Sequence, residues 1–263
     1  MHIVEQLIRE RAPKLMKHPA FPVLRGPLFR LLAYDAAVFL TDAIRGLSGH
    51  EAFALVANHL RARLDVGGLT NVPGNGAAFV VSNHPTGLAD GLAVFQALRD
   101  RRPDLCFLAN ADALRVIPGA ADLIIPVEWR REKRSRAKSR QTLVDIREAV
   151  RAGRLLVFFP SGRLARLGWR GLAERPWEPS AFSLAIKHGV PIVPLRMRAR
   201  NSALYYGFSK TSTELRDITL FHELLNKKGR TFRLTFGEAI RPEELPSRAE
   251  EALAYVRARV AKL

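Results

Sequence analysis

Cysteine is almost missing from this chain. Cys106 stands alone among 263 residues. One thiol cannot close an intramolecular disulfide, so cysteine usage carries no mark of an oxidising compartment. It lies in the apolar run Leu105-Cys106-Phe107-Leu108, where a thiol reads as a small buried hydrophobe rather than a nucleophile. Long apolar runs are missing too. No stretch reaches the roughly 18 uninterrupted apolar residues of a spanning helix, so no conventional transmembrane segment is expected. The start, Met1-His2-Ile3-Val4-Glu5, has no basic stretch leading into an apolar core, so no secretory signal peptide is expected. There is no dense His/Cys/Asp cluster, and so no metal is expected. Internal repeats, low-complexity tracts and a clear interdomain linker are absent as well.

Acidic residues are scarce beside basic ones. Lys and Arg total 42 against 25 Asp and Glu, a formal net charge of +17. Such a balance favours polyanions: nucleic acid, anionic lipid headgroups or an acidic carrier protein. The basic residues are densest in Trp129-Arg130-Arg131-Glu132-Lys133-Arg134-Ser135-Arg136-Ala137-Lys138-Ser139-Arg140. Beyond Trp129, no aromatics are interleaved with these basic residues. No helix-turn-helix, zinc or ribonucleoprotein signature accompanies them, so nucleic acid is not the expected partner.

Hydrophobic patterning divides the chain near residue 66. Before it, residues 3–12 read as an amphipathic helix, Pro13, Pro19 and Pro22 break the chain, and a further helix is expected over 50–64. Residues 27–47 are apolar with sparse charge, suited to packing on a core or lying in the plane of a membrane surface. After residue 66, strands expected at 77–82, 105–109, 123–127, 154–159, 191–197 and 231–236 alternate with helices at 88–99, 136–151, 178–188 and 247–261. The alternation predicts an α/β fold: a mixed, largely buried β-sheet flanked by helices. The expected division is a helical N-terminal part, 1–66, and an α/β domain, 67–263.

Two expected strands end in chemistry. Phe79-Val80-Val81 runs into Ser82-Asn83-His84-Pro85-Thr86-Gly87-Leu88-Ala89-Asp90. On one helix, His84 and Asp90 would lie roughly 240° apart and could not touch. They meet only if His84 sits in a loop and Asp90 in the first turn of the next helix. Pro85 keeps His84 out of a helix, and Gly87 lets the chain fold back. A carboxylate on one imidazole nitrogen fixes the tautomer and suits the other nitrogen to act as a general base. The second strand, Leu155-Leu156-Val157-Phe158, runs into Phe159-Pro160-Ser161-Gly162-Arg163. There Arg163 suits an anion. Ser161 lacks the Gly-x-Ser-x-Gly elbow of a serine hydrolase. Two prolines in Val190-Pro191-Ile192-Val193-Pro194 suggest an edge or strand-end position.

Taken together and in order, these segments resemble the glycerolipid acyltransferase family, which includes 1-acylglycerol-3-phosphate acyltransferase. Asn83–Asp90 is similar to its first motif. Ile125-Pro126-Val127-Glu128-Trp129-Arg130 falls in the place of the second, arginine-bearing motif. Phe159–Arg163 falls where the family has Phe-Pro-Glu-Gly-Thr-Arg, and Val190–Pro194 is similar to the fourth. The segment Arg200-Asn201-Ser202-Ala203-Leu204-Tyr205-Tyr206, with Glu223-Leu224-Leu225 and Gly229, resembles a bacterial branch of lyso-ornithine lipid acyltransferases and hemolysin-like proteins.

The resemblance implies an O-acyltransferase. An acyl group would pass from an acyl carrier protein or coenzyme A thioester, as co-substrate, to a lysolipid hydroxyl. It assigns His84 as general base and Asp90 as its orienting carboxylate. Arg130, Ser161, Gly162, Arg163 and Pro194 would bind substrate, with no cofactor and no covalent acyl-enzyme. The expected place of work is an anionic membrane surface, on the cytoplasmic face of the cell membrane. Two departures stand out. The His-to-Asp spacer is five residues where the family has four. Ser161 replaces the third motif's Glu, which turns the expected acceptor from a glycerol phosphate towards a lysolipid with another headgroup. Competing readings are a lipid serine hydrolase using Ser161, a non-catalytic lipid binder of the same fold, and a nucleic-acid-binding protein.

Overall fold

The structure is a computed structural model, and it describes residues 1–128, 135–168 and 171–263. Arg130 and the first half of the basic run lie outside the described residues. Five helices come first: α1 (Ile3–Arg11), α2 (Pro13–Lys17), α3 (Phe21–Leu31), α4 (Tyr34–Ile44) and α5 (Gly49–Leu60). Two of the prolines expected to break the chain instead start helices. Pro13 opens α2 and Pro22 sits in the first turn of α3, where a missing N–H costs no hydrogen bond. Ser48 and Glu51 cap α5 reciprocally, with Ser48 N–H donating to Glu51 Oε2 at 2.9 Å and Glu51 N–H to Ser48 Oγ at 3.3 Å. The helix stops short of the expected residue 64, because Arg61 takes a left-handed conformation and the chain turns into β1 (Arg63–Gly67). The sheet thus begins inside the segment expected to be helical.

The elements that follow are β2 (Ala78–Ser82), α6 (Leu88–Leu98), β3 (Cys106–Asn110), α7 (Asp112–Val116), β4 (Ile124–Val127), α8 (Arg136–Arg151) and β5 (Leu155–Phe158). The antiparallel pair β6 (Arg166–Gly168) and β7 (Gly171–Ala173) comes next, then α9 (Ser180–His188) and β8 (Ile192–Arg198). α10 (Ala203–Thr211), α11 (Thr213–Ile218), α12 (Leu220–Leu225), β9 (Thr231–Phe236) and α13 (Ala249–Lys262) complete the chain. The fold is α/β with a mixed seven-stranded sheet in the order β1-β9-β8-β2-β5-β3-β4. Neighbours run parallel except β8 and β9.

One face of the sheet packs Val80, Leu155, Val157, Val193 and Leu195 against α4, α5 and α6. The other packs Phe79, Val81, Leu156, Phe158 and Ile192 against α8, α9 and α13. All five residues of β2 are buried, as a central strand covered on both faces requires. Each such Val or Phe contributes roughly 1.5–3 kcal/mol. The loops leaving β2 and β5 therefore start from fixed points. Cys106 belongs to this core, and burial pushes its thiol up to about 11, away from any role as a nucleophile.

Pro194 corrects one expectation. It lies inside β8, an interior strand, opposite Val81 of β2. The missing N–H faces β9, where pairing lapses. Gly237 N–H donates to the Pro194 carbonyl at 2.8 Å, and a reciprocal bond would need the proline N–H. The next pairing partner, Ile240, bonds Ile192 instead. Proline is tolerated because it fills a gap in the ladder, not because it lies at an edge.

After β2 the chain crosses through α6 towards β3, on one side. After β8 it passes through α10–α12 to β9, on the other. The strand order therefore switches direction between β2 and β8, and in open α/β sheets ligand crevices form outside the carboxyl ends at such a point.

Candidate active site

The loop from β2 to α6 places His84 at that mouth. Gly87 has φ of +93°, and a Cβ there would stand 3.0 Å from Leu164 Cδ2, so the fold-back requires glycine. Leu88 then begins α6, which sets Asp90 at its third position. Asp90 is fully buried. Its Oδ2 accepts hydrogen bonds from Thr86 N–H at 2.8 Å and Gly87 N–H at 2.9 Å, and its Oδ1 accepts from the Thr86 hydroxyl. The remaining partner is His84 Nδ1, 2.9 Å from Oδ2. With Asp90 acting as acceptor, Nδ1 carries the proton and Nε2 keeps its lone pair. The five-residue spacer is accommodated by this turn.

Three further contacts hold the imidazole. Its ring stacks on Phe159, centroids 4.4 Å apart, at the carboxyl end of β5. Its backbone carbonyl accepts from Ala165 N–H at 3.0 Å. The backbone N–H of His84 donates to Glu174 Oε1 at 2.8 Å. Burial pushes the Glu174 carboxyl above its ordinary range, against the pull of the His84 N–H and imidazole. Next door, the Asn83 side chain bridges to β8, donating to the Met197 carbonyl at 2.8 Å and accepting from Met197 N–H at 2.7 Å. It prolongs the β2–β8 ladder by one step beyond the strand.

The β5 turn lies beside this loop. Ser161 is buried, and its hydroxyl donates to the Arg163 carbonyl at 2.9 Å. Among the described residues it makes no hydrogen bond to His84. Gly162 takes φ of +55°, and the Arg163 side chain is exposed to solvent. Pro194 lies deeper in the sheet, behind the mouth. No group of three or more His, Cys, Asp or Glu able to hold a metal occurs among the described residues.

A cleft of about 920 Å³ opens at the mouth. Asn83, Pro85 and Glu174 form one wall; residues 196–202, with α12 and Arg230, form the other. Sequence reasoning named no role for this second wall. Glu223 and Lys227, 1% and 3% exposed, pair there at 3.1 Å. Glu223 also accepts from Ser202 N–H at 2.8 Å and from the Ser202 hydroxyl. Burial pushes the Glu223 carboxyl up, but those bonds and Lys227 together hold it below its ordinary value. Burial also lowers Lys227, with Glu223 opposing the shift. The only signal in the sequence was the resemblance of Arg200–Tyr206 and Glu223 to a bacterial branch. Glu174 gave none, because the short β6–β7 pair that returns it to His84 has no readable periodicity.

The sequence profile of the Acyltransferase family matches residues 63–198, from β1 through β8 and just over half of the chain. Lyso-glycine lipid O-acyltransferase of Phocaeicola vulgatus is 27% identical over 246 residues, which cover 90% of this chain and 85% of that protein. The Bacteroides thetaiotaomicron protein of the same description is 27% identical over 250 residues, 90% of this chain and 87% of that one. Among solved structures, the 1-acyl-sn-glycerophosphate acyltransferase PlsC of Thermotoga maritima aligns with a TM-score of 0.49 and 20% identity, over 91% of this chain and 87% of that one. With the family's profile running through both strands that carry His84 and the Phe159–Arg163 turn, the chain belongs to the acyltransferase family.

Proposed function

We propose that the protein transfers a fatty acyl group from a thioester, carried on acyl carrier protein or coenzyme A, to the hydroxyl of a lysolipid. The observation that carries this reading is the His84–Asp90 contact, held at the mouth of a cleft by a fully buried carboxylate. His84 Nε2 takes the proton of the acceptor hydroxyl. The oxygen attacks the thioester carbonyl carbon, and a tetrahedral intermediate forms. Its collapse breaks the carbon–sulfur bond, and the proton on His84 passes to the departing thiolate. Asp90 fixes the tautomer and balances the imidazolium charge. Phe159 keeps the ring in plane. Ser161 serves its own turn through Arg163, which favours this reading over a serine hydrolase, and the assembled dyad favours it over a non-catalytic binder.

The acceptor is a lysolipid built on an amino acid. The replacement of the third motif's Glu by Ser161 and the two lyso-glycine lipid O-acyltransferase relatives support this choice over a glycerol phosphate. Among the described residues no helix is long and apolar enough to cross a membrane. The protein reaches lipid from the surface instead, through exposed Val23, Leu24, Leu31 and Phe39 on α3 and α4, with Arg25 and Arg30 beside them for anionic headgroups. Arg163, exposed at the mouth, meets an anionic part of the substrates.

The test is acyl transfer in vesicles containing a hydroxylated acyl amino acid, with acyl carrier protein and coenzyme A thioesters in parallel. Replacing His84 by Ala is expected to lower turnover by roughly 10²–10⁴-fold without unfolding the chain. A fully active His84→Ala protein overturns the mechanism.

A further inference from the structure

Asn201 stands out among the buried polar groups. It is 7% exposed, and among the described residues neither its Oδ1 nor its Nδ2 has a hydrogen-bond partner. An unpaired buried amide is costly, so a side chain kept in this state marks a place where a partner arrives from outside. Asn201 also stands where two cavities adjoin. The first is the cleft beside His84. The second, about 460 Å³, is lined by Leu167, Leu172, Ala203, Tyr206, Gly207 and the exposed Lys210, and is largely apolar. The two share Leu172, Arg200 and Asn201.

The charges of the cleft are unevenly committed. Lys227 is neutralised by Glu223 and also donates to the Glu223 carbonyl and Asn226 Oδ1. Arg196 and Arg198 donate to carbonyls at the end of α13. Arg200 and Arg230 line the same cleft, are exposed, and form no ion pair among the described residues. Among the described residues, Arg230 therefore stands in the cleft without a counter-charge, and Arg200, also without one, stands with Asn201 at the junction of the cleft and the apolar cavity.

We infer that this constellation is the headgroup subsite for an N-acylated amino acid, with Arg200 and Arg230 taking its carboxylate, Asn201 its amide and the second cavity its chain. A secondary amide offers both a donor and an acceptor, which are the two bonds Asn201 lacks. An acylglycerol phosphate carries an ester where this molecule has its amide, and an ester accepts hydrogen bonds but donates none. Arg230 lines the cleft alone, Arg200 and Asn201 line both cavities, and the second cavity is largely apolar, which suits a carboxylate in the cleft, an amide at the junction and a chain beyond it. The cleft runs on to Asn83 and Pro85, so a hydroxyl carried near the amide is presented towards His84. The assignment rests on the amino-acid lysolipid reading above, and it names the residues that select that acceptor.

The experiment uses N-decanoylglycine, which lacks the hydroxyl and cannot react, and its methyl ester, which lacks the charge. Both are titrated by calorimetry against the full chain, below their micelle concentrations. The wild-type protein is expected to bind the acid roughly tenfold more tightly than the ester, a difference of one charged hydrogen-bonded contact. The Arg200→Gln/Arg230→Gln double variant should bind both alike; these side chains are exposed and unpaired, so the fold is not at risk. Asn201→Ala should weaken acid and ester together by roughly tenfold, and Asn201→Asp should weaken the acid more than the ester. Equal wild-type affinity for acid and ester overturns the subsite, as does an acid preference that survives the double variant. Acyl transfer to the hydroxylated counterpart is measured separately. Binding with acid preference but no transfer leaves the subsite standing and removes the acyltransfer reading. Transfer without acid preference does the reverse.

Discussion

The two walls of the cleft use their polar atoms in opposite ways. On the β2–α6 wall, Asp90 accepts four hydrogen bonds and sits fully buried, and the neighbouring Asn83 amide is paired at both ends with Met197. On the wall formed after β8, among the described residues, Asn201 has no partner for either amide atom, and Arg200 and Arg230 have no counter-charge. A group that moves a proton must be held in place before substrate arrives, since reorganising it during reaction adds to the barrier. A group that recognises a ligand must keep its bonds free until then. On the proposed reading, the contrast separates a wall for chemistry from a wall for selection.

The largest expected effect comes from upsetting the closed wall. Asp90→Asn keeps the shape of the side chain but replaces one acceptor oxygen by a donor. That NH₂ group faces the donors of Thr86, Gly87 or His84, and it favours the tautomer with the proton on Nε2. Turnover per folded molecule is expected to fall roughly 10²–10⁴-fold with KM nearly constant. The chain also loses stability, by about 1–3 kcal/mol for each donor left unmet. Steady-state kinetics beside urea unfolding separate the two. A turnover within a few-fold of wild type would erase the distinction between the walls.

Next in size is the support beneath the open wall. Lys227→Met leaves Glu223 buried without its counter-charge and should cost about 3–5 kcal/mol of stability. Adding Glu223→Gln removes the stranded charge and should restore part of the loss, as read from urea midpoints. Turnover of the folded fraction should change little, because this pair touches Ser202 and Asn226 rather than His84. A collapse in turnover comparable to that of Asp90→Asn would show that the two walls act as one.

The sequence made the closed wall readable and the open wall nearly invisible. β2 and β5 are unbroken apolar runs, because both faces of their sheet are covered, and each ends in a Pro-containing turn with polar side chains. His84, Asp90 and the Ser161–Arg163 turn are therefore legible in the sequence alone. The helix boundaries at α6, α8 and α13 followed from periodicity for the same reason. The open wall comes from α10–α12, three short helices between β8 and β9, and from single residues such as Arg230. Its cohesion rests on Glu223 and Lys227, whose burial contradicts their residue type, and no pattern of period 3.6 or 2 announces it. β1 escaped because an edge strand of five residues with alternate ones exposed looks like the end of the helix before it. Pro194 misled because the gap it fills is created by β9, far along the chain.

Glu174 stands on the closed wall behind His84, and its substitution is the mildest and most specific probe. It lines the cleft and accepts the His84 N–H, so its oxygen is structural while its charge is not obviously needed. Burial raises its carboxyl pKa, so the folded chain holds that proton to a higher pH than the unfolded chain does. The stability this contributes is fully present below the ordinary glutamate pKa and is lost as pH rises through the folded value. Glu174→Gln keeps an acceptor for His84 and carries no ionisable group. The melting temperature of the variant, minus that of wild type, should therefore climb from about pH 4 upward and level off once Glu174 is ionised in the folded chain. Turnover should change by no more than a few-fold, since the His84 backbone keeps its anchor. A difference that stays flat from pH 4 to 8 would mean that Glu174 is not under the burial that raises it. A turnover loss rivalling that of Asp90→Asn would instead make Glu174 part of the proton-transfer machinery rather than a support behind it.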